Sequence, residues 1–136
     1  MFGTQRNRAS AYASVQVETG VSAADPHKLI TMLFDGAILA LTRADAALKA
    51  EKVAEKGEAL SKAIRIIDGG LKASLDQSAG GELAARLAAL YDYMCERLVY
   101  ANAHNSTAAI AEVNGLLTGL RESWLGIEPK KNATTV

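Results

Sequence analysis

From Pro26 to Trp124 apolar side chains recur every three or four positions, the period of helices that turn one face inward. The first series is Ile30, Leu33, Ala37, Leu41, Ala44 and Leu48, and it predicts a helix from Pro26 to about Lys49. A second, Leu60, Ile64, Ile67, Leu71 and Leu75, predicts a helix from about Glu55 to Leu75. The third starts after Gly80-Gly81, runs to about Ala103, and carries Leu83, Leu87, Leu90, Met94 and Leu98. The fourth follows Asn105 and Ser106, either of which suits an N-cap, and carries Ile110, Val113, Leu117, Leu120 and Trp124.

Punctuation agrees with the periodicity. Asp25 directly before Pro26 is an N-cap followed by proline at the first helical position, and Pro129 marks a stop. Between the two prolines the chain is rich in helix formers and lacks β-branched runs of alternating polarity, so a sheet has no candidate strands. Connections of roughly four to eight residues are too short to cross a bundle, so consecutive helices are antiparallel neighbours. The expected fold is all-α: an antiparallel up-down-up-down four-helix bundle over 25–128, preceded by a flexible N-terminal arm (1–24) and followed by a disordered tail (129–136). The arm is polar and rich in Ala and Ser, but Phe2, Tyr12, Val15, Val17 and Val21 give it a means of lying on the bundle.

Helix one carries more apolar surface than one core face needs. Leu29, Ile30, Met32, Leu33, Phe34, Ile38, Leu39 and Leu41 cover an arc of about 260° at roughly 100° per residue. A single core takes an arc somewhat above 100°. Either this helix is sunk deeper than its neighbours, or it meets further apolar matter: the arm, a second copy of the chain, or another protein's helix.

Composition narrows the function. Hydrophobic residues make up 49% of the 136 positions, enough for a core, and 15 Lys+Arg balance 15 Asp+Glu. No overall basic field exists to hold nucleic acid or an anionic membrane, and Arg6, Arg8, Lys130 and Lys131 read as solubilising charge. The first ten residues lack an apolar run behind their arginines, no segment reaches the length of a membrane span, and Cys95 has no partner for an internal disulfide. The expectation is a cytoplasmic protein.

Chemistry-bearing constellations are lacking in the sequence. His27 opens helix one and His104 closes helix three, ends that an antiparallel pairing would put on one side of the bundle. There is no His-x3-His or Cys-x2-Cys spacing for zinc and no Glu-x-x-His for a di-iron bundle, so no metal and no cofactor are expected. Cys95 reads as a small buried hydrophobe. A histidine phosphotransfer domain needs an exposed mid-helix histidine, whereas both histidines here lie at helix ends and neither is followed by Lys-Gly. Glycines inside helices, Gly36, Gly69-Gly70, Gly115 and Gly119, signal close approach by a neighbouring helix or by a partner's backbone. The residues therefore point to a non-enzymatic binding bundle, client-binding or self-associating.

A set of short blocks, in order along most of the chain, resembles the flagellar secretion chaperone family, FliS. They are Ala11-Tyr12, Val17-Glu18-Thr19, the run Asp25-Pro26 through Leu29 to Ile38, Lys62-Ala63, Ile66-Ile67, Ser74-Leu75-Asp76, Gly80 to Ala84, Leu90-Tyr91, Tyr93-Met94, Ala101-Asn102, Glu112-Val113, Leu116-Leu117, Leu120-Arg121 and Trp124. Departures are Phe34 where tyrosine is usual, Gly69-Gly70 in place of better helix formers, and no acidic residue from His104 to Thr107. The resemblance implies a helical bundle whose client is the disordered C-terminal segment of flagellin. That client becomes helical along hydrophobic grooves while the arm moves aside, and export-apparatus or regulatory proteins are further potential partners. It implies roles for Tyr12 as arm anchor, for Phe34 and Ile38 beside helix one, for Leu83, Leu87 and Tyr91 on helix three, and for Asn102 in a backbone hydrogen bond. On the residues alone Phe34 and Ile38 serve equally as core, core is slightly favoured for Leu83 and Leu87, Tyr12 reads also as a loosely held tail residue, and Asn102 equally closes its own helix.

Overall fold

The computed structural model describes residues 25–127 and folds them into four antiparallel helices, an all-α bundle. The arm, with Tyr12, and the tail lie outside the described residues. Helix α1 spans Pro26–Lys49. Its start is built as the Asp-Pro pair foretells: Pro26 occupies the first turn and the Asp25 carboxylate accepts the Lys28 N–H at 3.3 Å. Glu51 takes a left-handed φ of 59° in the tight turn that follows, and the Lys52 N–H bonds back to the Ala47 carbonyl at 2.8 Å.

Helix α2, Val53–Ile66, starts two positions before the expected Glu55 and has no side-chain cap. It ends nine residues earlier than the expected Leu75, because Ile67–Lys72 is wound as a π-helix. Gly69 and Gly70 lie in this wider turn. A β-carbon on Gly70 would sit 2.6 Å from Cδ2 of Leu33, so the glycine lets α1 come close here. The wider turn leaves Ile66, Ile67, Gly70 and Leu71 all buried.

Helix α3 runs Gln77–His104, starting earlier than expected because Asp76 caps it through the Ala79 N–H at 3.2 Å. Gly81, at φ 56° and ψ −129°, kinks it where the sequence places its beginning. Helix α4 is Thr107–Leu125 and is capped by the Ser106 hydroxyl, which accepts from the Ala109 N–H at 3.1 Å. Asn105 is not the cap; it closes α3 in the left-handed conformation, φ 51°. The sequence does not foretell what holds it there. Lys56, buried in α2, donates its ammonium to the Asn102 carbonyl at 3.0 Å and to Oδ1 of Asn105. A cation thus meets the negative end of α3.

Leu29, Leu33, Leu41, Leu60, Ile67, Leu71, Met94, Leu98, Ile110, Val113 and Leu117 are fully buried and form the centre of the bundle. Each contributes about 1.5–3 kcal/mol by leaving water. Helix α1 packs most extensively against α2 and α4, and α3 is held to α2 in good part through the π-helical turn Ile67–Lys72. Flanked on both sides, α1 absorbs most of its wide apolar arc internally: Leu29, Leu33, Phe34 and Leu41 are buried, Ile30, Met32 and Ile38 half-buried. Leu39 is the exception, 50% exposed.

Candidate functional site

Beside Leu39 the outer faces of α1 and α2 enclose an open groove of about 750 Å³. On α1 its lining is a single stripe, Met32, Gly36, Leu39, Arg43, Ala46 and Ala47, which the 3.6-residue period brings onto one side and which the C-cap residue Ala50 extends. Ala59 and Ile66 of α2 supply the facing apolar wall, and the stripe from Met32 to Ala50 is about 27 Å long at 1.5 Å per residue. Small side chains dominate the floor. Its charged rim carries both signs equally: Arg43, Lys52 and Lys62 against Asp35, Glu55 and Glu58. Asp35 is tied to α4 by the Arg121 guanidinium, whose Nε donates to Oδ1 at 2.5 Å. Such a groove can bind an apolar, elongated partner and offers no group arranged for bond-making.

The residues named from the sequence fall elsewhere. Phe34 (3% exposed) and Tyr91 (4% exposed) belong to the buried core, and burial pushes the Tyr91 hydroxyl up to about 12. Ile38 and Leu87 are half-buried and pack on that core. Leu83 stands 66% exposed beyond the Gly81 kink, one turn from Leu87 along α3. Asn102 is exposed, and its main-chain carbonyl is the group that receives Lys56. None of these lines the α1–α2 groove. Met32, Gly36 and Leu39 do, and a second 3.6-residue stripe, offset from Leu33-Ala37-Leu41, is the signal that identifies them.

The histidines sit at opposite poles, not on one side, because α1 and α3 run parallel in this topology. His27 stacks on the indole of Trp124 at 4.6 Å between ring centroids. Trp124 Nε1 donates to the His27 carbonyl at 3.0 Å, and His27 Nε2 lies 3.1 Å from the Trp124 carbonyl. His104 packs on Tyr100, whose ring also lies under the Arg97 guanidinium at 4.8 Å. Arg97 and the Tyr93 hydroxyl in turn bind the Glu112 carboxylate, and the Tyr93 hydrogen bond followed by that from Arg97 holds it below the usual carboxylate range. Burial, reinforced by the Asp68 and Asp92 carboxylates, raises the half-buried Cys95 thiol to about 11, which disfavours the reactive thiolate. Among the described residues no group of three or more His, Cys, Asp or Glu side chains is placed to hold a metal ion, and no helix is long and apolar enough to cross a membrane.

Comparison with known proteins supplies the context for this geometry. The model of the family described as "Flagellar protein FliS" matches residues 8–131. The flagellar secretion chaperone FliS of Salmonella typhimurium is 58% identical over 120 residues, covering 88% of this chain and 89% of the relative. The FliS chaperone of Escherichia coli is 44% identical over 84% of each chain. The chaperone FliSB of Pseudomonas aeruginosa is 46% identical over 85% of this chain and 91% of its own length.

Proposed function

Because the chain belongs to the FliS family of flagellar proteins, we propose that it is a cytoplasmic secretion chaperone that binds the C-terminal segment of flagellin in the α1–α2 groove. A chaperone role in flagellar export follows from the family. The single observation that supports the client assignment is the groove itself: a long apolar trough with a half-exposed leucine in a bundle whose core is already closed. An exposed apolar surface of that length in a folded domain is a place for another apolar segment. A disordered client that folds into an amphipathic helix there covers its own sticky face, so it neither polymerises early nor aggregates. Ordering such a client costs about 2–5 kcal/mol, which favours a long contact over a single pocket. Export-apparatus or regulatory proteins would be further partners, through surfaces that the groove leaves uncovered.

Calorimetric titration of the full chain with a peptide spanning the C-terminal segment of a flagellin tests this reading. The expected result is one-to-one binding with a negative heat-capacity change. Leu39→Asp is expected to weaken it by about tenfold or more, ~1.4 kcal/mol, with the helical circular dichroism retained because Leu39 is half in solvent. Absence of heat at several temperatures, with the protein folded, would count against a flagellin client. Self-association detected by light scattering would then make the groove an interface between copies.

A further inference from the structure

Two glycines inside the α1–α2 pair look equivalent in sequence and differ in what surrounds them. At Gly70 a β-carbon would be 2.6 Å from Leu33, itself fully buried, so the fold has no room for one. At Gly36 a β-carbon would meet only the terminal Cδ1 methyl of Ile66, at 3.3 Å, a contact relieved by a few tenths of an ångström of side-chain movement. Glycine in a helix interior weakens the helix relative to alanine, and packing within the chain presses on position 36 through a single methyl group, far less than on position 70. Gly57, Gly69, Gly115 and Gly119 are freer still, with nothing within 4 Å of an added β-carbon, but none of them lines this groove. Gly36 does, between Met32 and Leu39 on one side and Ile66 on the other, which leaves a notch in the apolar floor.

We propose that Gly36 sets the specificity of the groove: its missing side chain is the notch that receives one large apolar side chain of a docked amphipathic helix. This rests on the reading of the groove as a client site and adds the position that discriminates among clients. The occupant is a helix of another protein with mixed-sign flanks, because the rim offers three positive and three negative side chains. A strongly acidic or strongly basic segment would meet as many like charges as opposite ones there. The stripe, about 27 Å long, accommodates about eighteen residues of helix. A large side chain seated between Met32, Leu39 and Ile66 would bring the client backbone close to α1 at the one point where α1 has no β-carbon.

A double-mutant cycle between the full chain and alanine-scanned peptides of a flagellin C-terminal segment tests the notch. Gly36→Ala is expected to keep or raise the thermal midpoint while lowering affinity for the unaltered peptide by about tenfold, a change of ~1.4 kcal/mol. Gly36→Ser gives a second filled notch should alanine perturb Ile66. One peptide position, a large apolar residue, should lose affinity on truncation against wild type and lose little against either variant. Additivity at every peptide position would refute the notch, as would undiminished affinity in both variants. Leu39→Asp separates the two levels: binding that survives it removes the groove as a client site, whereas binding lost there with a fully additive cycle removes only the role of Gly36. Loss of self-association in Gly36→Ala with unchanged peptide affinity would assign the notch to a second copy of the chain and overturn the proposal.

Discussion

Helix α1 meets its two neighbours by different means. Toward α4 the outer edge is bridged near the start of α1 by polar cross-links: the His27–Trp124 clasp at one end and, two turns along, the Arg121–Asp35 pair. Only beyond them, between Thr42, Asp45 and Lys49 and the first turns of α4, does it open into a smaller groove of about 510 Å³. Toward α2 the helices approach through small residues, with Gly70 against Leu33 and Gly36 against Ile66, and the outer edge stays open as the apolar groove. One seam uses specific donors and acceptors; the other uses the lack of side chains. Close backbone approach makes a tight interior but leaves a trough outside, whereas aromatic and ionic groups cover the outside where they stand. The open edge is therefore a product of how α1 and α2 pack.

The contrast can be broken at several points. The largest effect is expected at the close approach: Gly70→Ala forces a methyl into Leu33 and should lower stability by about 1–3 kcal/mol, measured by urea unfolding. A loss near zero would show that Leu33 has another rotamer and that the approach is loose. Next is the clasp. Trp124→Phe keeps an aromatic ring for His27 but removes the indole N–H, and should cost about 1 kcal/mol. No loss would mean that the stack alone carries that end of the seam. The smallest effect is expected at Arg121→Gln, about 0.2–1 kcal/mol and shrinking with added salt, since both charged partners are partly in solvent. Salt-independent destabilisation there would mean that the Arg121 stem, not its charge, holds the edge.

The same contrast shows what the sequence makes legible. The bounds of α1 are readable because Asp25-Pro26 is a local signal and the apolar period is unbroken to Lys49. The bundle and its topology follow from four such series and short connections. The π-turn at Ile67–Lys72 is not readable, because Gly-Gly tells only that the chain can deviate and not in which way. The Gly81 kink hides the true start of α3 for a related reason: Asp76 is a capping residue, but the glycine pair draws the boundary to itself. Lys56 reaches the end of α3 across forty-six positions, and no local pattern encodes that. The site suffers most from the width of the apolar arc on α1. A 260° arc does not reveal which part neighbouring helices take, so Phe34 and Ile38 look as available as Leu39 until α2 and α4 are in place.

The clasp has a further consequence for how the bundle breathes. Helical proteins ordinarily open by fraying from their ends, where few bonds must break. Here the start of the first helix and the end of the last are bonded to each other across ninety-seven positions, so neither can peel away alone. Amide protons in the first turn of α1 and the last turn of α4 should therefore exchange with solvent more slowly than their terminal positions suggest.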